Sequence, residues 1–132
     1  MATLTSDQVL TATDELIAAF AATDTAAYFA CFTPDATFVF HPEDRRFDDR
    51  AAYEAVWASW LDAGWRVVSC ISSDRLVQTY GNFAVLTHTC DTVTSVDGEE
   101  TTLRERESIV FVVDSDRLLA VHEHLSPMPA GA

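Results

Sequence analysis

The chain has 132 residues, 48% of them hydrophobic, with 8 basic against 21 acidic residues and a net charge of −13. That length holds one core, because a second domain would be too small to bury one of its own. The basic residues are all Arg, and so large an excess of carboxylates repels nucleic acid and anionic membrane surfaces, which excludes both as partners.

Taken in order, the chain first reads as helix. Thr5-Ser6-Asp7-Gln8 has the form of a capping box. Val9, Thr13, Leu16, Ile17 and Phe20 then share one helical face, and the alanines between them favour helix, which predicts a helix over 6–22. Asp24 caps a shorter helix expected to run through Phe32, with Pro34 as its stop. Residues 36–40 form a short β-rich run, followed by a polar loop from His41 to Arg46. Asp48 or Asp49 caps a third helix whose apolar face is Tyr53, Val56, Trp57, Trp60 and Leu61, and Gly64 stands at its C′ position.

The remainder reads as strand. Residues 65–71 continue through an expected bulge at Ser72, Ser73 and Asp74 into 75–80. Gly81-Asn82 turns, 83–94 is a long strand, and Asp97-Gly98 is a strong hairpin signal. A closing hairpin follows, with Asp114-Ser115-Asp116-Arg117 as its turn, and 127–132 reads as a loose tail. Helices over 6–62 with one short strand, then antiparallel strands over 65–126, predict a single α+β domain: three N-terminal helices packed on the concave side of a curved, mainly antiparallel sheet. A wedge-shaped cavity is expected between the two layers.

No basic region followed by an apolar run opens the chain, and no stretch approaches the roughly 20 apolar residues of a membrane span. Cys31, Cys70 and Cys90 are an odd count without metal-like spacing and read as buried thiols of a reducing compartment. A cytoplasmic location is the expectation. There is no Gly-rich phosphate loop, dinucleotide fingerprint or Ser-His-Asp order.

Strand alternation groups the ionisable residues. His88, Cys90 and Thr92 share one face, opposite Thr87, Thr89 and Asp91. Arg104, Arg106 and Ser108 share a face opposite Glu105 and Glu107, and His122 and His124 oppose Glu123. The closing turn has two or three residues, so which faces pair across it stays open. His122-x-His124 has the spacing of two metal ligands, with His88 or Asp91 to complete them from another strand. Nothing downstream supplies a further ligand, and no metal is expected.

Arg106-Glu107-Ser108-Ile109-Val110-Phe111, a short polar turn, and Val121-His122-Glu123-His124-Leu125-Ser126 together resemble the closing hairpin of SnoaL-like domains, in the nuclear-transport-factor-2-like, ketosteroid-isomerase-like superfamily. The association domain of calcium/calmodulin-dependent kinase II ends in a similar His-x-His-x-Ser. The element order matches over nearly the whole chain, although Asp116 and Leu118 stand where the family usually has Gly and Trp. The resemblance implies a cone-shaped fold, a hydrophobic small-molecule ligand and no cofactor.

It also implies proton transfer by carboxylate and imidazole groups in an apolar cavity, where burial tunes a carboxyl toward its substrate. The candidates are Glu123, His124, His122, His88 and Arg106 as catalytic groups, with Phe40, Trp57, Trp60, Tyr28 and Asp91 around the ligand. They are expected between the third helix and the two closing strands, Arg106 and Glu123 forming the polar end with one of the three histidines. An internal Arg-Glu-His network is the structural alternative. Two functions follow: a cofactor-free isomerase, cyclase or dehydratase acting on a hydrophobic carbonyl compound, or a non-catalytic ligand-binding or oligomerisation module. A homodimer is expected, formed through the sheet face that the helices leave bare.

Overall fold

A computed structural model describes residues 3–129. Helix α1 (Ser6–Ala21) starts at the expected capping box: the Thr5 side chain accepts from the Gln8 N–H, and the Gln8 side chain accepts from the Thr5 N–H. Helix α2 (Thr25–Phe29) is capped by Asp24 but ends three residues earlier than the sequence suggested, because the chain turns there into strand β1 (Phe32–Phe40). Pro34 therefore lies in a strand rather than after a helix. It sits where the ladder register shifts between Phe32 and Thr37, a segment that does not need its missing N–H. Helix α3 (Arg50–Asp62) is capped by Asp49, whose carboxylate accepts from the Ala52 N–H at 2.8 Å.

Four long strands complete the chain: β2 (Trp65–Tyr80), β3 (Phe83–Val96), β4 (Glu99–Asp114) and β5 (Arg117–Pro127). The sheet order is β1-β5-β4-β3-β2, with β1 and β5 parallel and every other pair antiparallel. This is the expected α+β cone, a curved sheet with its helices at the N-terminal end. β2 bulges between Ser73 and Leu76, where Asp74 takes a positive φ of 52°. The expected tail is partly held: Pro127 ends β5, and the Met128 N–H donates to the Arg104 carbonyl at 3.1 Å. Residues 130–132 of that tail lie outside the described residues.

α1 packs chiefly on β2 and α3 on β1. Between them sits an aromatic core. Trp57 is fully buried, stacks on Tyr28 at 5.0 Å between ring centroids, and donates its indole N–H to Thr25 at 2.9 Å. Phe38 meets Tyr53 edge-on at 4.6 Å. The outer sheet face leaves Ile71 63%, Leu76 60%, Tyr80 50% and Phe83 40% exposed. No helix among the described residues is long and apolar enough to cross a membrane.

The β3–β4 turn and the end of α3 brace each other. Gly64 has φ +90°, its carbonyl accepts from the Asp97 N–H at 3.1 Å, and a Cβ there would stand 2.0 Å from Asp97 Oδ1. Gly81, at φ +63°, has open space around the same position. Both alanine variants carry the strain of a positive φ, about 1–2 kcal/mol. Only Gly64→Ala also displaces the turn, so urea unfolding should show it to be the more destabilised of the two, and equal losses would contradict this packing.

Candidate functional site

The site is built by strand alternation and one irregularity. Along β3, Leu86, His88, Cys90 and Thr92 face the helices, and Ile109, Glu107, Glu105 and Leu103 stand opposite them on β4. Cys70 and Ser72 of β2 lie opposite Thr92 and Cys90. On β5 the register shifts: Phe111 pairs with Ala120 but Val110 pairs with His122, which leaves Val121 as the extra residue. That bulge lets Ala120 and Glu123 both point inward despite their odd separation. Glu123 is placed between Phe38 of β1 and Ile109 of β4, and is 1% exposed.

A cavity of about 320 Å³ opens between α1, α2, α3 and this inner face. Phe20, Tyr53, Trp60 and Trp65 contribute rings to its wall, while Glu105, Glu107, Glu123, Cys70 and Cys90 contribute its polar floor. Its surroundings are thus wider than the expected gap between α3 and the closing strands, because α1, β2 and β3 also line it.

One hydrogen-bonded chain runs under the floor. Arg75 pairs with Asp14 at 2.6 Å and donates Nε–H to Ser72 Oγ at 2.8 Å. Ser72 lies 2.6 Å from His88 Nδ1, and His88 Nε2 lies 2.9 Å from Glu107 Oε1. Arg75 can only donate, so the Ser72 hydroxyl proton is free for Nδ1, which leaves Nε2–H to donate to Glu107. Glu107 and Glu123 share a side-chain hydrogen bond. Tyr28 donates to Glu123 Oε1 at 3.4 Å and lies 3.0 Å from the Tyr53 hydroxyl, whose proton then points to Tyr28. Glu105 is held separately by His41.

Burial decides the protonation of this chain. It raises the Glu107 carboxyl to about 8, helped by the negative charge of Cys70 and Glu105. It raises Glu123 well above the usual carboxylate range, with Glu107 as the second cause. His88 is pushed down to about 4 by burial and then by the Arg75 charge, so its contact with Glu107 joins a neutral imidazole to a carboxylic acid rather than an ion pair. Tyr28 and Tyr53 stay protonated, pushed up by burial and by Glu123. The Cys70 thiol is drawn down to about 7, chiefly by a hydrogen bond from Cys90 that outweighs its burial.

Of the residues singled out in the sequence, Glu123, His88, Tyr28, Phe40 and Trp60 belong to this site. Trp57 does not line the cavity: it is fully buried behind Tyr28, which it positions. Arg106, His122, His124 and Asp91 face the other side of the sheet. Arg106 and His124 border a separate polar recess with Ser108 and Ser126, His122 bonds Thr37 at 2.8 Å, and Asp91 pairs with Arg104 at 3.3 Å. The polar end expected from Arg106, Glu123 and a histidine is therefore corrected to Glu107, Glu123 and His88. The cause is strand parity, since Arg106 alternates with the inward Glu105 and Glu107.

Sequence reasoning passed over Glu107, Tyr53, Ser72 and the two inward cysteines. A signal for Glu107 was present, for Glu105, Glu107, Ile109 and Phe111 share one parity, but the unbroken apolar run from Ile109 to Val113 hid which parity was inside. Among the described residues, His88, Cys90 and Glu107 are the metal-type donors that come within 4.8 Å of one another, and here they satisfy one another as a hydrogen-bonded set.

The raised Glu107 carboxyl has a sign in stability. The folded chain binds more protons at this group than the unfolded chain between pH 4.5 and about 8, so its contribution is full below 4.5 and is lost as pH rises through 8. His88 acts oppositely between about 4 and 6.5, and Cys70 oppositely between about 7 and 9. A difference measurement cancels both to first order. The stability of Glu107→Gln relative to the parent chain should rise as pH increases through this window in urea titrations, and a difference that does not change with pH would contradict the assignment.

The geometry agrees with relationships found by comparison. The SnoaL-like domain family matches residues 9–131. No curated protein sequence matches the chain. Among solved structures, a candidate dehydratase of the NTF2-like family from Streptomyces avermitilis is 18% identical, with a TM-score of 0.79 over 94% of this chain and 96% of that one. A candidate calcium/calmodulin-dependent kinase II association domain from Exiguobacterium sibiricum is 15% identical, with a TM-score of 0.80 over 97% and 98%. An NTF2-like protein from Cytophaga hutchinsonii is 11% identical, with a TM-score of 0.81 over 95% and 100%. At these identities the structures speak to the fold, while the family match spans nearly the whole chain: it belongs to the SnoaL-like domain family.

Proposed function

We propose that the protein binds a small hydrophobic carbonyl compound and acts on it as a cofactor-free acid-base catalyst of the isomerase or dehydratase type. The observation that carries this reading is the Glu107–Glu123 pair, buried side by side on the floor of an aromatic-walled cavity. A carboxyl that releases its proton at about 8 is matched to proton transfer near neutrality, where both its acid and its base forms are within reach. Tyr28, backed by Tyr53, supplies a hydroxyl for an oxygen on which charge develops. His88 holds Glu107 in place through a neutral imidazole. The aromatic wall selects an apolar body, and the polar atoms lie at one end only. The description of the Streptomyces neighbour as a candidate dehydratase supports the same reaction class.

A hydrophobic ketone such as 2-tetralone in deuterated buffer tests this. The parent chain should accelerate exchange of the α-hydrogens as followed by NMR, and Glu123→Gln should lose about 10²–10⁴-fold of that acceleration while still unfolding cooperatively. A parent chain whose tryptophan fluorescence reports ketone binding but which accelerates no exchange would sink the acid-base reading and leave the ligand-binding module in its place.

A further inference from the structure

The polar floor of the cavity extends beyond the Glu107–Glu123 pair. Glu105 stands two residues before Glu107 on β4, on the same inward face and so about 7 Å along the strand, opposite Cys90 of β3. It lines the cavity and is 5% exposed. Leu103 is next to it on that face and Leu125 stands across from Glu107, so the wall around it is apolar. One of its oxygens is used: Oε2 is held by Nε2 of His41, from the loop that also gives Pro42 and Glu43 to the cavity. The other is not. Oε1 has no hydrogen-bond partner among the described residues, yet no fully buried side-chain oxygen among them lacks one. Oε1 is therefore open, and it opens onto the cavity that Glu105 lines. Glu107 and Glu123 are already held by His88 and Tyr28, whereas Glu105 keeps an acceptor in an apolar wall, which costs free energy until something donates to it.

We infer that Glu105 is a specificity determinant that accepts a hydrogen bond from a ligand hydroxyl, so that the ligand is a hydrophobic hydroxy-carbonyl compound with both oxygens on one edge. The inference rests on the reading that a carbonyl compound fills this cavity, and it adds the second point that fixes the ligand's orientation. With the carbonyl at Glu123 and Tyr28, the hydroxyl meets Glu105 about 7 Å along the same floor, and the apolar body lies against the Trp60 and Trp65 rings. His41 holds Oε2, so Oε1 is aimed before the ligand arrives and binding freezes little side-chain freedom. A ligand with an apolar group at this point strips water from Oε1 and gives nothing back. Selection thus works against compounds that lack the hydroxyl as well as for those that have it.

The test compares three ketones on the intact chain: 2-tetralone, 7-hydroxy-2-tetralone and 7-methoxy-2-tetralone, whose 7-substituent lies on the same edge as the carbonyl oxygen. Quenching of tryptophan fluorescence reads binding, since Trp60 and Trp65 line the cavity. The hydroxy compound should bind the parent chain at least about tenfold more tightly than either of the others, the worth of a hydrogen bond to a charged group. Glu105→Met, similar in length and without a carboxyl acceptor, should erase that advantage. Glu105→Gln, which retains a carbonyl oxygen, should keep part of it. Equal affinities of the three ketones for the parent chain overturn the proposal. So does an advantage that survives Glu105→Met but is lost in Glu123→Gln, which would place the hydroxyl at the carboxyl pair. A Glu105-dependent advantage in a chain that accelerates no α-hydrogen exchange upholds the proposal and sets aside catalysis alone. Exchange without the advantage does the reverse.

Discussion

Two carboxyl groups that cannot both be charged are the constraint on which this structure turns. Glu107 and Glu123 come from adjacent strands, meet beneath three helices and hydrogen-bond to each other. An ionised pair there would carry a desolvation cost of several kcal/mol per charge and a mutual repulsion in addition. The fold resolves this by keeping protons on the pair and by surrounding it with neutral partners: the His88 imidazole on one side and the Tyr28 hydroxyl on the other. No buried side-chain nitrogen or oxygen among the described residues lacks a hydrogen-bond partner. Among the described residues, the only full positive charge in this hydrogen-bonded network is Arg75, three hydrogen bonds away from Glu107 and itself tied to Asp14 on α1. That distance keeps the carboxyls from being drawn into ionisation.

The scaffold explains how the pair is held. Long antiparallel strands with bulges give a sheet that curves around the helices. The β5 bulge at Val121 is the decisive local feature, because it turns Glu123 inward while Ala120 keeps its place against the core. Trp57 and Phe38 then fix Tyr28 and Tyr53 from behind, so the hydroxyls converge on Glu123 through rigid rings rather than mobile side chains. Cavity and core share these aromatics, which makes the polar floor as well supported as the packing above it.

Much of the fold was legible in the sequence, because its signals are local. Thr5 with Gln8, Asp49, Gly64 and Asp97-Gly98 each state a cap or turn that the structure contains. Pro34 misled, since its usual meaning after a helix was overridden by a register shift that tolerates it within β1. The site was legible only in part. The structure brings Glu123, His88 and Tyr28 to the cavity floor, whereas Arg106, His122 and His124, which the sequence grouped with them, face outward. Two non-local facts were missing: which parity of β4 is inside, and that β5 skips a residue at Val121. Neither is written in the spacing of the residues themselves; the first decides the facing of every side chain on β4, and the second that of the β5 side chains beyond the bulge.

The account rests on the carboxyl pair being protonated at neutral pH, and infrared spectroscopy reads that state directly. A carboxylic-acid C=O band should be present at pH 7 in the parent chain, should lose intensity as pH is raised through about 8, and should be absent from the double variant Glu107→Gln/Glu123→Gln. A parent spectrum at pH 7 that shows carboxylate bands alone, unchanged in that region by the double substitution, would contradict it.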